Sequence, residues 1–265
     1  MSGDTLRTEG LGLSFGAFRA VNDLNLKLEP GSRQALIGPN GAGKTSVINL
    51  LTGVYQPSQG RLLLGERDIT RLSVDQRARL GVARTFQINT LFPTLTPLLS
   101  VVLAISEREG LGAVWWRPLS RSRTVFDEAH ALLGRLKLDA LAEVPVAQLA
   151  YGKQRLLEIA LALAAKPRVL LLDEPAAGVP AGESGELFDV IAALPQHISV
   201  LFIEHDMKLV FRFARRISVL VAGQILAEGT PAQIAADPRV REVYLGDALV
   251  HHHAPAGAAT GAADV

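Results

Sequence analysis

Gly38-Pro39-Asn40-Gly41-Ala42-Gly43-Lys44-Thr45 is the stretch on which the reading of this chain turns. The pattern G-x-x-x-x-G-K-[ST] lets a glycine-permissive loop turn its backbone N–H groups inward around a phosphate. It brings Lys44 onto the β and γ phosphates and leaves the Thr45 hydroxyl for Mg²⁺. Residues 33–37 read as a short strand feeding the loop. Residues 46–51 read as a helix whose positive N-terminus faces the phosphates. The competing account is a chance match in a chain with 24 glycines, and the strand, loop and helix in that order argue against it.

Length and composition bound the remaining possibilities. The 265 residues suffice for one large α/β domain, or for a domain carrying an inserted subdomain, with a full core. The net charge of +1 comes from nearly balanced acids and bases, which speaks against wrapping nucleic acid or lying on an anionic membrane. The chain has no cysteine, so disulfides and thiolate metal sites are excluded and a reducing compartment is suited. No basic segment followed by an apolar run opens the sequence, and no secretion signal is expected. Mean hydropathy is positive, yet no apolar run reaches the ~18 residues that span a bilayer. The nearest, 156–172, is broken by Glu158, Lys166, Pro167 and Arg168.

Working outward from the loop, strands are expected over 6–13 and 24–28, the latter alternating as Leu24, Leu26 and Leu28. Between them lie two aromatics, Phe15 and Phe18. Either a ring here stacks on a nucleobase, with Phe15 the better candidate, or it is a core or rim phenylalanine. Downstream, 61–64 reads as a strand, and Ser73-Val74-Asp75-Gln76 as a capping box opening a helix that stops at Gly81. Residues 82–86 read as a strand ending at Gln87, which is either a solvated loop residue or a neighbour of Mg²⁺.

From residue 88 to 165 the pattern turns helical, with helices expected over 97–106, 125–137 and 153–165. The intervening loop 110–123 holds Trp115, Trp116, Arg117, Arg121 and Arg123. It reads equally as a partner surface and as a locally packed loop with solvated arginines. Strand character resumes at Val169-Leu170-Leu171-Leu172, an apolar run buried on both faces that delivers Asp173 and Glu174 at its carboxyl end. One carboxylate there can hold Mg²⁺ through its waters, and the next can polarise the water that attacks the γ phosphate.

A helix over 181–194 and a strand over 198–203 lead to His205. That histidine can donate a hydrogen bond to the γ phosphate or the attacking water, or serve as a structural histidine. A hairpin is expected around Ala222-Gly223 and a short helix capped by Thr230-Pro231. Residues 251–265, rich in Ala and Gly and beginning with three histidines, read as a disordered tail without an assigned metal.

With Phe15, the loop, Gln87, Asp173-Glu174 and His205 in this order, the chain resembles the ATP-binding cassette ATPases over about 6–245. The place of the family's signature, Leu-Ser-Gly-Gly-Gln, holds Leu149-Ala150-Tyr151-Gly152-Lys153-Gln154. The usual serine and one glycine are therefore replaced by Ala150 and Tyr151, and the segment 176–180 lacks the aspartate common in that loop. Within the family the chain is most similar to the ATP-binding subunits of branched-chain (hydrophobic) amino-acid importers. The stretches that carry this are Arg84-Thr85-Phe86-Gln87, Leu149-Ala150-Tyr151-Gly152, Asp173-Glu174-Pro175-Ala176-Ala177-Gly178 and Glu204-His205-Asp206-Met207.

The resemblance implies a P-loop NTPase (RecA-like) α/β core over 1–87 and 166–250, with an N-terminal antiparallel β subdomain. It also implies an inserted α-helical subdomain over 88–165 that carries the signature. ATP and Mg²⁺ are the implied cofactors. Phe15, Val21, Asn40, Gly41, Ala42, Gly43, Lys44, Thr45, Ser46 and Gln87 are expected at the nucleotide. Ala150, Tyr151 and Gly152 are expected at the nucleotide of a second cassette, identical or paralogous, associated head to tail. Thr45, Gln87 and Asp173 are expected at the metal, with Glu174, His205 and Lys44 as the catalytic groups. Two membrane permeases, and indirectly a periplasmic solute-binding protein, are the implied partners of a peripheral subunit on the cytoplasmic face of the inner membrane; no nucleic acid is implied. Other readings are uptake of urea, amides or another small solute, a soluble cassette ATPase acting on nucleic acid or ribosomes, and a regulatory subunit with little hydrolysis.

Overall fold

Strand residues alternate between two faces, and here the alternation sorts side chains into two separate cores. Ala35 and Ile37 of β4 (Arg33–Ile37), Leu170 and Leu172 of β8 (Val169–Asp173), and Val200 and Phe202 of β9 (Ser199–Ile203) face one core. Leu36, Leu171 and Leu201 face the other. Both faces of these strands are thus covered, which is why they read as unbroken aliphatic runs. The computed structural model describes residues 5–85, 91–111 and 123–251.

The central sheet has six strands in the order β11-β10-β4-β9-β8-β7. From β10 (Arg216–Val221) to β7 (Val82–Arg84) all neighbours are parallel, and β11 (Gln224–Gly229) closes one edge antiparallel to β10. A second, antiparallel sheet runs β2-β1-β5-β6, built from β1 (Leu6–Phe15), β2 (Phe18–Leu24), β5 (Gln59–Leu64) and β6 (Arg67–Asp68), with β3 (Lys27–Leu28) also paired to β1. Helix α1 (Lys44–Thr52) contributes Val47, Ile48, Leu50 and Leu51 to the core shared by the two sheets. On the opposite face lie α3 (Pro97–Arg108), α4 (Arg123–Arg135), α5 (Tyr151–Ala164) and α6 (Ala181–Ala192). The helices α3, α4 and α5 follow one another between the adjacent parallel strands β7 and β8.

Two local signals act as their chemistry requires. Ser73 and Gln76 form the reciprocal capping box of α2 (Val74–Arg79), and Thr230 and Gln233 do the same for α8 (Pro231–Ala236). The continuous strand expected over 24–28 is corrected to two pieces, β2 ending at Leu24 and β3 starting at Lys27, with Leu26 N bonded to Thr8 Oγ1 in the interval. The alternation itself holds, for Leu24, Leu26 and Leu28 are all buried. Two helices were not anticipated, α7 (Met207–Phe213) and α9 (Pro238–His251). The start of α9 was open to reading, since Asp237 accepts the Arg239 N–H and Pro238 occupies the first turn. The loop residues Trp115, Trp116, Arg117 and Arg121 and the tail from 252 onward lie outside the described residues.

Candidate active site

Because β4, β7, β8 and β9 are parallel, their carboxyl ends share one edge of the sheet, the edge at which open α/β sheets bind ligands. A cleft of about 350 Å³ opens there, lined by the loop residues 40–46 together with Phe18, Ala20, Glu174 and His205. Gly43 is where glycine is obligatory. Its φ is 102°, and a Cβ would lie 2.5 Å from the carbonyl oxygen of Ala20 on β2. With Gly43 as its N-cap, α1 has neither a side-chain cap nor an acid in its first turn, so its N–H groups are left to a ligand. The Lys44 ammonium is held by the loop's own carbonyls, Gly38 O at 2.7 Å and Pro39 O at 3.0 Å. Burial pulls its pKa below the ordinary value for lysine, while the carboxylates of Glu174 and Asp173 oppose that shift.

Asp173 ends β8 with its carboxylate buried. Oδ2 accepts from Arg84 Nη2 at 2.8 Å, and the other guanidinium nitrogen, Nη1, reaches Asn49 Oδ1 on α1 at 2.6 Å. Oδ1 of Asp173 has no hydrogen-bond partner among the described residues. Burial raises this carboxyl above its usual pKa, with the Arg84 charge pulling the other way. Thr45, at the start of α1, is exposed and lines the cleft.

Glu174 turns away from the strand with φ 49°, a left-handed conformation that is costly for a non-glycine residue. Its Oε1 lies 2.8 Å from His205 Nε2. The loop behind it is tied down by Glu204, a buried carboxylate accepting from the backbone of Ala176 at 2.9 Å and of His205 at 3.2 Å. Burial raises the Glu204 pKa, and those two amides oppose the shift. The arrangement presents a lysine, a helix N-terminus and hydroxyls to one side of a cleft, and a carboxylate with an imidazole to the other. An anion, its counter-ion and a polarised water fit between them.

Of the residues anticipated from sequence, Asn40, Gly41, Ala42, Gly43, Lys44, Thr45, Ser46, Glu174 and His205 meet in this cleft. Phe15 does not line it. Its ring meets Tyr55 edge-on at 5.5 Å, and Phe18, its partner across the hairpin turn, lines the cleft instead. Val21 is corrected to a core residue, 1% exposed. Gln87 lies outside the described residues.

Ala150, Tyr151 and Gly152 sit at the start of α5, away from the cleft-lining set. Tyr151 packs on Gly178, where a Cβ would come within 3.0 Å of the tyrosine ring, and its hydroxyl accepts from Arg155 at 2.7 Å. Sequence reasoning missed Arg84 as a site residue. An arginine placed one strand end away from the acids was the available signal.

Comparison with known proteins agrees with this geometry. The family model described as "ABC transporter" matches residues 21–177, and the model "Branched-chain amino acid ATP-binding cassette transporter" matches residues 224–250. The chain is 43% identical to the high-affinity branched-chain amino acid transport ATP-binding protein LivG of Escherichia coli (strain K12), over 94% of this chain and 100% of that protein. It is 42% identical to the corresponding protein BraF of Pseudomonas aeruginosa, over the same shares. The crystal structure of the ADP conformation of MJ1267, an ATP-binding cassette of an ABC transporter, superposes with a TM-score of 0.80 at 31% identity, covering 92% of this chain and 99% of that one.

Proposed function

The chain belongs to the ABC transporter family of ATP-binding cassettes, and from that premise we propose that it is the ATP-hydrolysing subunit of an importer for branched-chain or other hydrophobic amino acids. The observation that carries the hydrolytic part is the Glu174–His205 contact at 2.8 Å across the cleft from the Lys44–Thr45 loop. In this reading the α1 N-terminus and the loop amides bind the phosphates. Lys44 exchanges the carbonyls of Gly38 and Pro39 for the β and γ oxygens. Glu174 orients and polarises the attacking water, and His205 holds the Glu174 carboxylate and bonds to the γ phosphate. Phe18, in place of Phe15, is the ring nearest the nucleotide.

The residues also fit Mg²⁺, a hard ion that keeps several waters and takes few protein oxygens. Thr45 opens onto the cleft and Asp173 Oδ1 is a buried oxygen without a partner among the described residues. Held by Thr45 and, through its waters, by Asp173, such an ion would supply positive charge against the negative charge of the phosphates. Gln87 is assigned to the same side by resemblance alone.

The second half of the site is the start of α5 of another cassette. Ala150 brings no hydroxyl, and the amides of Tyr151 and Gly152 remain as donors. ATP favours the closed pair by its higher affinity for that state, and hydrolysis releases it, driving two membrane permeases served by a periplasmic solute-binding protein. The helical subdomain expected over 88–165 is the part that meets the permease, and the subunit sits peripherally on the cytoplasmic face of the membrane. Among the described residues no helix is long and apolar enough to cross a bilayer.

The test is reconstitution with the two permeases and a second cassette. The expected result is ATP-dependent uptake of leucine, isoleucine and valine, with hydrolysis stimulated by the loaded receptor. Uptake of urea or amides instead would replace the solute assignment, and hydrolysis without any coupled uptake would sink the transport reading.

A further inference from the structure

The metal side of the cleft depends on two elements that the chain brings together from far apart. Thr45 stands at the start of α1 and Asp173 at the end of β8. Asn49 is four residues beyond Thr45 and so lies on the same face of α1. Between Asn49 and Asp173 stands Arg84, the last residue of β7, its side chain 13% exposed and that of Asp173 1%. Its guanidinium bonds both, at 2.6 Å and 2.8 Å. Arg84 itself is held in register, for β7 pairs with β8 at Arg84 and Leu171, and Thr85 N continues the ladder to Leu171 O at 3.1 Å.

We propose that Arg84 is a positioning residue of the nucleotide site, fixing the distance between the Thr45 helix and the Asp173 strand and leaving Asp173 Oδ1 as the one carboxylate oxygen available to the hydrated metal ion. Two features argue for it. The fork of an arginine can serve two acceptors at once in a fixed plane, which a lysine ammonium on a flexible stem does not reproduce. One carboxylate oxygen is occupied and the other is buried without a partner among the described residues, a division that a freely rotating carboxylate would not keep.

The inference rests on the reading of Thr45 and Asp173 as metal-side groups, and its test separates metal from nucleotide. Binding of a fluorescent ATP analogue to the full chain is measured in EDTA. Mn²⁺ affinity of the complex with a slowly hydrolysed ATP analogue is then measured by electron paramagnetic resonance. For R84A the metal-free nucleotide affinity is expected to change little, and the Mn²⁺ affinity to fall by roughly 10- to 100-fold, the usual cost of losing a group that orients a metal ligand. R84K is expected to recover part of the loss. N49A, which releases only the α1 arm, is expected to give a smaller weakening of the same sign. Unchanged Mn²⁺ affinity in R84A, or an equal loss of metal-free nucleotide binding, overturns the proposal. Should R84A not fold, wild-type Mn²⁺ affinity in N49A overturns it. Failure of the unsubstituted chain to bind nucleotide at all would instead overturn the reading of the site on which the proposal depends.

Discussion

His205 Nε2 lies 2.8 Å from Glu174 Oε1, and the two side chains arrive from the ends of adjacent parallel strands, β9 and β8. Neither residue reaches this position by local conformation alone. Glu174 adopts a left-handed backbone, and Glu204 pins the following loop through the amides of Ala176 and His205. A carboxylate held this firmly can orient water without reorganising during the reaction.

Glu174→Gln keeps the shape and removes the charge that polarises water. ATP hydrolysis is expected to fall by at least about 10²-fold, the usual contribution of a general base, with nucleotide affinity nearly unchanged. Steady-state phosphate release alongside equilibrium nucleotide binding checks this. Hydrolysis close to the wild-type rate would remove Glu174 from its role.

Ala150 has the extended backbone of an N-cap, φ −57° and ψ 148°, but offers no side-chain acceptor to the first turn of α5. Ala150→Ser restores one and is expected to stabilise the isolated chain by about 1 kcal/mol. For a domain of this size that corresponds to a melting temperature higher by roughly 2–4 °C. If cassettes pair head to tail as proposed, the added hydroxyl also faces the partner's γ phosphate, and hydrolysis is expected to rise. An unchanged melting curve would contradict the cap.

Arg77 is fully buried, and its guanidinium donates to the carbonyls of Leu50, Leu51, Thr70 and Leu72, closing the C-terminal end of α1. Burial lowers its pKa to about 10, so it still carries its charge at neutral pH. Arg77→Met leaves buried carbonyls without donors and is expected to cost about 3 kcal/mol. Urea denaturation read by circular dichroism measures it, and a loss below about 1 kcal/mol would mean that water replaces the guanidinium.

Glu158 pairs with Arg155 at 2.8 Å inside α5, yet burial raises its pKa above 4.5 because desolvation outweighs the partner's charge. The folded chain therefore binds this proton more tightly than the unfolded chain. The stability it contributes is full below pH ~4.5, the unfolded value, and is lost as pH rises through the folded value. Glu158→Gln is expected to flatten that part of the stability profile, measured by denaturation midpoints between pH 4 and pH 7. A slope identical to that of the unsubstituted chain would exclude Glu158 as its source.

Features carried by a few consecutive residues were legible in the sequence. The glycine loop, the aliphatic run ending in Asp173-Glu174, the hairpin at Ala222-Gly223 and the capping boxes at Ser73 and Thr230 each follow from backbone geometry and hydrogen bonding within one turn or one strand. The break at Asn25 and Leu26 was harder to see, because the alternation of Leu24, Leu26 and Leu28 survives an interruption that keeps the same face buried. The choice between Phe15 and Phe18 was not legible either. Both flank the same two-residue turn, and only the packing of that hairpin against the loop at Gly43 and against Tyr55 decides which ring meets the cleft.

The sequence by itself determined that a phosphate-binding loop, a pair of acids and a histidine occur in the order of one ATPase family, since each is written in a contiguous motif. Only the tertiary structure decided how they are held. Arg84 meets Asn49 across 35 residues of chain and Asp173 across 89, and Arg77 closes a helix that ends 25 residues before it. A buried guanidinium has no sequence signature, because its partners are carbonyl and carboxylate oxygens that become neighbours only when the chain folds.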